Sequence, residues 1–425
     1  MKDLTEKKLL ILGGNYSTVN LVQLAHKHGI YCIVTSNEIG GQAKDIADEC
    51  AMISSDDYNN ILSLIKEKQI DGVMTGASEY HNLNMIRICT NAGLPVCATE
   101  EIWNLCQDKR NFKDLCKKYG VAGVPEFEVD DVLKEDDFPV IVKPIDGCSS
   151  RGINICRNNN ELAIAKNAAL EASPTHSILI ERYIDNGGIT NMVKYVAIDG
   201  NYYIEAMGDR YVLNGGLITA NTFYPSKYLD NWINNNHPFV VKMLNAIGFK
   251  NGIIAFQTIP DDNNIYVYEC CLRLTGGMTY KMTSATSGND SMEMLLHYAL
   301  TGQMCEKDDI KKIDPHFKGK LGSSFAIPLK PGTIATIKGD QNIKNIPNVV
   351  DYTQYYSVGD TITQKNQNTL DQLYARIMVV AENKDSLFDK LSSIRNNLSI
   401  IDTNGNEMII WDTFDKIYKE YNDNK

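Results

Sequence analysis

The sequence predicts an α/β fold that becomes α+β in its later parts, and three observations support this prediction. Residues 1–100 alternate short apolar strands with amphipathic helices, which is typical of a parallel sheet with helices on both faces. Residues 123–270 contain strands joined by short, hairpin-like turns, as in antiparallel sheets. Short strands and a helix after Phe317 predict a smaller α+β region. A chain of 425 residues is long enough for about three domains.

The composition describes a globular chain and excludes several classes of protein. Apolar residues make up 43% of the chain, and the net charge of −11 argues against a nucleic-acid or anionic-membrane surface. The charged first residues and the short apolar runs predict neither a signal peptide nor a membrane span. Eleven cysteines occur without a C-x-x-C pair, so we expect a reduced, cytoplasmic protein without structural zinc. An anionic substrate must then be held by a few well-placed cations.

The first region begins as a β-α-β unit. Strand Lys8–Leu12 stops at Gly13-Gly14-Asn15, helical spacing runs over Val19–His28, and a second strand covers Ile30–Thr35. The alternation continues with helix Asn59–Lys68, strand Asp71–Thr75 and helix Asn82–Ala92. An open, mostly parallel sheet is predicted over residues 1–100.

The later regions follow a long predicted helix, Thr99–Tyr119. The predicted strands of the middle region are Phe138–Pro144, Ile153–Cys156, Ile178–Ile184, Thr190–Ile198, Tyr202–Gly208, Gly252–Ile259 and Asn264–Cys270, with helices Glu161–Ala172 and Asn236–Ile247. The last region has predicted strands Ser323–Pro328, Thr333–Lys338 and Leu373–Ala381 and helix Asp385–Asn397.

The segment Tyr268–Gly277 carries the strongest chemical signal. Glu269 lies at the end of an apolar strand, Arg273 follows four residues later, and a glycine pair comes next, as binding of a polyphosphate with its metal requires. Gln257 lies on the preceding strand, which a short turn joins to this one. The two side chains are therefore expected to face each other as oxygen ligands of a divalent cation. A plain polar cross-strand pair is the alternative.

Two upstream segments add to this signal. Lys143 ends a strand directly before the loop 146–152, whose glycines and serines bring backbone N–H groups close to phosphate oxygens. A surface hairpin is the alternative interpretation of that loop. Glu181 ends another apolar strand, where free backbone groups pair with the edge of an adenine, unless the charged strand end is simply solvated.

The joint order of these residues resembles the ATP-grasp superfamily. The resemblance rests on Asp108-Lys109, Lys143-Pro with its Ser-Ser-Arg-Gly loop, Glu181-Arg-Tyr-Ile, Gln257, Glu269 and Arg273-Leu-Thr-Gly-Gly. More narrowly it is similar to the carboxylate-amine ligase group, near L-amino-acid ligases, carbamoyl-phosphate synthase and glycinamide ribonucleotide synthetase. It implies a pre-ATP-grasp Rossmann-like domain (1–100), a two-part ATP-grasp domain with antiparallel sheets (101–320, lid about 123–185) and a C-terminal α+β domain (321–425).

The resemblance also implies roles for individual residues. Nucleotide contacts fall on Lys109, Lys143, Ser149, Ser150, Gly152, Glu181, Arg182, Tyr183 and Ile184, with Asp185 as a candidate ribose ligand. Lys143, Arg151 and Arg273 would act on the transferred phosphoryl group, and Gln257 and Glu269 would hold the metal. Substrate contacts fall on Glu79, Arg273, Thr275, Gly276 and Gly277.

The implied activity is ATP-dependent ligation of a carboxylate to an amine. An acyl phosphate would form first, with Mg²⁺, or alternatively Mn²⁺, as the metal. The partners would be the two small substrates, with neither nucleic acid nor membrane, and a homodimer is possible. Glu205, Arg210 and Asn221 are further positions where substrate specificity is expected.

Two departures from the family pattern leave alternatives open. Cys271 stands where the family usually has a metal-binding asparagine, and Gly188-Ile189 stands where it tends to have an acidic ribose ligand. An ATP-binding protein with altered or lost catalysis is therefore the main alternative. A dinucleotide-dependent oxidoreductase built on Gly13-Gly14-Asn15 is weaker, because G-x-G-x-x-G is absent. A biotin-dependent carboxylase is a further alternative within the family, although such an enzyme is expected to carry an appended biotinyl domain.

Overall fold

The structure, a computed structural model, describes residues 4–14, 16–146, 152–213, 218–261 and 264–423. Its first part is the predicted parallel sheet, in the strand order β3-β2-β1-β4. The elements are β1 Lys8–Leu12, α1 Tyr16–Lys27, β2 Tyr31–Thr35, β3 Glu49–Ala51, α2 Tyr58–Lys68, β4 Gly72–Thr75 and α3 Glu79–Ala92. The carboxyl ends of β1 and β4 lie side by side, since Leu12 pairs with Thr75.

The long helix predicted over Thr99–Tyr119 is wrong in one respect, because two helices occupy that segment. They are α4 Glu100–Gln107 and α5 Lys109–Tyr119, and Asp108 between them has an extended backbone. The Asp108 carboxylate accepts a 2.8 Å hydrogen bond from the Asn111 N–H and so caps α5. The break places Lys109 in the first turn of α5.

A separate antiparallel sheet follows, which we call the lid sheet, with the order β5-β8-β6-β7. Its elements are β5 Glu126–Phe127, β6 Val140–Pro144, β7 Asn154–Cys156, α6 Asn159–Ala172 and β8 Ile178–Arg182. Leu133, Val142, Leu162 and Ile180 belong to an apolar core of its own between this sheet and α6. The lid sheet is therefore a small packing unit within the larger chain.

An eight-stranded sheet forms the body of the molecule, in the order β13-β12-β9-β10-β11-β14-β18-β16, with antiparallel neighbours throughout. Its first elements are β9 Ile189–Ile198, β10 Asn201–Val212, β11 Thr219–Tyr224, α7 Leu229–Asn235, α8 His237–Ile247, β12 Gly252–Pro260 and β13 Ile265–Cys271. The predicted hairpin about Asp199-Gly200 joins β9 to β10, and both turn residues have positive φ.

The last region contributes strands to the same sheet. Its elements are α9 Thr279–Ser287, α10 Ser291–Thr301, α11 Lys307–Ile310, β14 Leu321–Pro328, β15 Gly332–Lys338, α12 Asp340–Lys344, β16 Val349–Gln354, β17 Thr361–Ile362, β18 Leu373–Ala381, α13 Lys384–Asn397, β19 Ser399–Asp402 and α14 Asp412–Asp423. Strands β17, β15 and β19 form a small sheet beside it. The domain boundaries at residues 100 and 320 stay predictions.

Helices α9 and α10 connect the eight-stranded sheet to the parallel sheet. A Cβ on Gly72 would lie 2.4 Å from the Ala299 carbonyl oxygen, so α10 approaches β4 at a distance that only glycine allows. An apolar cluster continues this contact through Met278, Met282 and Leu296. Among the described residues, no helix is long and apolar enough to cross a bilayer.

Asp290 gives the fold a measurable pH dependence. Its carboxylate caps α10 by accepting hydrogen bonds from the Met292 and Glu293 N–H groups, at 3.0 and 3.2 Å. Burial raises its pKa from 3.8 to about 6. Because the folded state binds this proton more tightly, the stabilisation is fully present below pH 3.8 and is lost as the pH rises through about 6.

We therefore predict that Asp290→Asn, which keeps a capping side chain, changes the pH profile of stability. Relative to this variant, the wild type should lose about 2–3 kcal/mol of unfolding free energy between pH 4 and pH 7. Urea denaturation across this range measures the difference, with Asp308→Asn at an exposed position as the control. Parallel curves for wild type and Asp290→Asn would contradict the prediction.

Candidate functional site

Gln257 and Glu269 face each other across β12 and β13, as the sequence predicts. The strand register pairs them, and the Gln257 Nε2 donates a 2.9 Å hydrogen bond to Glu269 Oε2. The Gln257 Oε1 is occupied as well, since Arg210 Nη1 donates to it at 2.8 Å and the Tyr268 hydroxyl at 3.2 Å. A guanidinium therefore lies against the amide oxygen that was predicted to bind metal.

Glu269 lies within the electrostatic range of cations from three distant segments. Burial raises the pKa of its carboxyl, Lys109, Lys143 and Arg273 oppose that shift, and Glu79 adds to it. The net result is a carboxyl with a raised pKa, surrounded by positive charge. The structure thus places Glu269 near four other predicted residues, Lys109, Lys143, Arg273 and Glu79.

Arg273 and Glu79 form an ion pair although 194 residues separate them. Arg273 Nη2 lies 2.8 Å from Glu79 Oε1, and Nη1 donates to the Leu274 carbonyl at 3.1 Å. The Arg273 Nε and the Thr275 Oγ1 are buried without a hydrogen-bond partner among the described residues. Such groups are costly to leave unpaired, so a ligand that bonds to them is favoured here.

Glu181 is bridged by two lysines. Its side chain is 3% exposed, Oε2 lies 2.6 Å from Lys143 Nζ, and Oε1 lies 2.6 Å from Lys113 Nζ. Burial alone would raise the pKa of Glu181, but the ammonium groups of Lys143 and Lys113 lower it below its usual value. Lys113 also donates to the Val124 carbonyl at 3.0 Å, which ties α5 to the lid sheet. Sequence reasoning missed Lys113, although it lies one helical turn after Lys109.

The end of β8 exposes two backbone carbonyls because two prolines face it. The Arg182 N–H donates to the Pro125 carbonyl at 2.9 Å, and the Tyr183 N–H donates to the Pro139 carbonyl at 3.0 Å. Proline has no N–H, so neither residue returns the second hydrogen bond of an antiparallel pair. The Arg182 and Tyr183 carbonyls therefore lose their ladder donors at the predicted adenine-binding strand end.

The side chains around this strand end differ in role. Ile184 is buried in an apolar cluster with Val124 and Tyr266. The Arg182 guanidinium instead turns to Asp261 Oδ2, at 2.8 Å, and lies over the Tyr266 ring. Asp185 is exposed. The Ile184 cluster offers an apolar surface beside the free carbonyls.

The predicted phosphate loop is described only in part. Ser149, Ser150 and Arg151 lie outside the described residues. Gly152 has positive φ, and a Cβ there would lie 2.7 Å from the Ala172 Cβ, so its packing already requires glycine. Lys109 Nζ donates to the Ile145 carbonyl at 3.1 Å, at the start of this loop.

A cavity of about 1050 Å³ opens beside Gln257 and Arg273. It lies between the end of β4, one face of the eight-stranded sheet and the last region. The residues predicted for the metal and the substrate that line it are Gln257, Arg273, Thr275, Gly276 and Gly277, and the predicted specificity residue Arg210 lines it as well. Tyr224, Ser324 and Arg376 also line it. Sequence reasoning missed Arg376, although it is the only charged residue of the strand Leu373–Ala381.

Two further polar side chains are found at the cavity: Cys271, which lines it, and Lys194, which lies behind it. Lys194 is fully buried in the sheet, and its ammonium donates to Thr279 Oγ1, a cavity-lining group. Burial lowers the pKa of Lys194 to about 8, against the opposing effect of Glu205. Burial raises the pKa of the Cys271 thiol, so this position offers a protonated sulfur where the family pattern has an amide.

The arrangement of the parallel sheet, the lid sheet and the eight-stranded sheet matches the ATP-grasp fold. The family described as "D-ala D-ala ligase C-terminus" matches residues 111–242, which hold the lid sheet and the first strands of the body. The chain thus has the ATP-grasp fold, and the recognition made from the sequence is confirmed at that level.

Three known proteins are similar to the chain. The L-amino acid ligase of Bacillus licheniformis superposes with a TM-score of 0.77 at 19% identity, covering 94% of this chain and 99% of that one. The phosphoribosylglycinamide synthetase of Anaerococcus prevotii gives 0.75 at 22% identity, covering 94% and 100%.

The third is the 2-oxoglutarate carboxylase of Hydrogenobacter thermophilus. Its small subunit is 28% identical over 204 residues, covering 42% of this chain and 43% of that subunit, so the chain spans less than half of the relative's length. Its biotin carboxylase domain, a dimer in complex with MgADP, ADP and bicarbonate, gives a TM-score of 0.71 at 21% identity, covering 95% of this chain and 91% of that one.

The two-lysine bridge predicts an effect on stability. Lys113→Met leaves the buried Glu181 with one cation, and we expect the unfolding free energy to fall by about 2–4 kcal/mol. Lys117→Met, at an exposed position of the same helix, should change it by less than about 0.5 kcal/mol. Urea denaturation of both variants measures this, and equal losses would refute a special role for Lys113.

Proposed function

We propose that the chain is an ATP-dependent ligase that joins a carboxylate to an amine and releases ADP and phosphate. The observation that carries the proposal is that Lys109, Lys143 and Arg273 lie within electrostatic range of the half-buried Glu269, next to a large cavity. The likeness to an L-amino acid ligase and a phosphoribosylglycinamide synthetase supports this class of reaction. ATP is then a substrate.

The strand end of β8 fits an adenine. One of the two carbonyls that lack a ladder donor, that of Arg182 or that of Tyr183, would accept a hydrogen bond from the adenine amino group, and the apolar cluster of Ile184 and Tyr266 would cover the ring. Lys143 and Lys109 would hold the phosphates. Lys143 leaves Glu181 only if another cation stays there, and Lys113 supplies that cation.

The residues present fit one magnesium ion. Glu269 offers a carboxylate, and Mg²⁺ commonly takes one or two protein carboxylates together with nucleotide phosphates and water. They do not fit a second ion of the same kind, because Arg210 binds the Gln257 oxygen and Cys271 offers sulfur. A bound Mg²⁺ would supply positive charge to the phosphate oxygens.

The protein's own residues then account for the reaction by positioning and charge neutralisation. A substrate carboxylate oxygen attacks the γ-phosphorus, the bond to ADP breaks, and an acyl phosphate forms. Arg273 and Lys143 neutralise the oxygens of the transferred group, and the unpaired Thr275 Oγ1 and Arg273 Nε donate hydrogen bonds to it. The amine attacks the acyl carbon, phosphate leaves, and the amine nitrogen loses a proton.

One specific observation favours a second candidate, an ATP-binding protein with altered catalysis. Gln257 is held by Arg210, and Cys271 is buried as a thiol, so two of the three expected metal positions offer no free oxygen.

A homodimer also stays a proposal, supported by the dimer named for the 2-oxoglutarate carboxylase domain. A cytoplasmic location likewise stays a prediction.

The proposal predicts which residues turnover requires. Lys143→Met and Glu269→Gln should each reduce substrate-dependent phosphate release by about 100-fold or more, because the first removes a cation at the transferred group and the second removes the carboxylate that would hold the metal. Arg182→Gln should have little effect, since its guanidinium is directed to Asp261. A coupled phosphate assay over paired carboxylates and amines measures this, with circular dichroism to confirm folding. Full activity in Glu269→Gln would reject the assigned site.

Cys271→Asn separates the ligase from the protein with altered catalysis. An amide oxygen at this position adds a magnesium ligand, so the Mg²⁺ concentration for half-maximal rate should fall about tenfold in this variant and stay unchanged in Cys271→Ala. Phosphate release by Cys271→Asn alone, with none by the wild type, would favour altered catalysis. Identical metal dependence of both variants would show that Cys271 is not at the metal.

A further inference from the structure

Strand β18 carries one charged side chain in an apolar sequence. Arg376 is 8% exposed and lines the cavity, and its Nη1 donates to Ser324 Oγ at 3.2 Å. Among the described residues it forms no ion pair. Asp371, the one carboxylate among the residues that line the cavity, does not pair with it. A buried guanidinium without an anion is costly, because its lost hydration is only partly replaced.

A second arginine, the partly buried Arg210, also lines the cavity. Arg210 donates to Gln257 Oε1 and to Thr219 Oγ1, and it has no carboxylate partner among the residues that the structure describes. Burial raises the pKa of the Tyr224 hydroxyl, and both Arg210 and Arg376 oppose this shift, so both act on one cavity-lining group. The cavity therefore has a positive wall in a chain of net charge −11.

Arg210 joins this wall to the predicted metal site through Gln257, whereas Arg376 lies farther along the sheet from Glu269. In the strand register, Arg210 lies opposite Thr222, and Thr222 lies opposite Ser324. Arg376 lies opposite Ala326, two residues after Ser324, so all of these side chains share one face of the sheet. Five strands separate β18 from β13, which carries Glu269. An anion at Arg376 is therefore a different group from the carboxylate activated near Arg273.

We propose that Arg376, with Ser324, binds a carboxylate that the reaction does not consume. This inference rests on the proposed function and specifies its substrates, because one of the two must carry an additional carboxylate. The shared chemistry is a carboxylate held by a guanidinium fork. It comes either from a dicarboxylic acid as the activated substrate or from an α-amino acid as the amine.

The test is a cycle that combines a protein variant with a substrate analogue. For the substrate pair that supports phosphate release, Arg376→Met should raise KM for the carboxylate-bearing substrate about tenfold or more and leave KM for ATP within about twofold. Arg376→Lys should recover part of the loss. Arg395→Gln, which removes a charge paired with Asp415, is the matched control and should leave KM unchanged.

The analogue arm identifies the source of the carboxylate. If the monocarboxylic analogue of the acid, or the plain amine analogue of the amino acid, binds wild type and Arg376→Met equally, the missing carboxylate is the group that Arg376 holds. A KM that does not change in Arg376→Met, or that rises equally for both analogues, overturns the proposal.

A binding experiment keeps this inference separate from the ligase proposal. If the wild type releases no phosphate with any pair, the ligase proposal fails, and thermal unfolding with succinate, propionate, glycine and methylamine still tests Arg376. The site is supported if succinate stabilises the wild type and propionate does not, or if glycine does and methylamine does not. In either case Arg376→Met should not be stabilised. Equal shifts in both proteins, or none, overturn it.

Discussion

The pairing of β11 with β14 is the constraint on which the rest of the molecule depends. It joins the strands that carry the phosphoryl-transfer residues to the strands of the last region, through partners such as Thr222 with Ser324. Because side chains alternate between the faces of a strand, this register decides which residues share the cavity. A shift by one residue would turn Ser324 away from the cavity and remove one wall of the site.

The positions of individual lysines and arginines, and not the overall charge, explain how an acidic chain is suited to anionic ligands. Each cation near the phosphate end has a carboxylate nearby, as Lys143 has Glu181 and Arg273 has Glu79. Such pairs keep cations oriented at modest cost before a ligand arrives. Arg210 and Arg376 form no ion pair among the described residues, so the cavity wall that they line keeps its positive charge.

Local patterns predicted much of the fold, and contacts between distant segments account for most of what was missed. The facing of Gln257 and Glu269 was predictable because a short turn between two apolar strands limits their register. The pair of helices α9 and α10 was not, since the first is rich in threonine and serine and forms by packing against neighbouring elements. Lys113 and Arg376 gain their meaning only from strands and helices far away in sequence.

The separate core of the lid sheet has a mechanical consequence. Because its apolar residues pack among themselves, we expect that this unit can rotate as a rigid body while the parallel and eight-stranded sheets stay joined through α10. The Lys113–Glu181 ion pair spans the moving and the fixed parts and is largely shielded from solvent. Because the ion pair is buried, dissolved ions screen it little. Opening of the lid should therefore respond to the nucleotide more than to ionic strength.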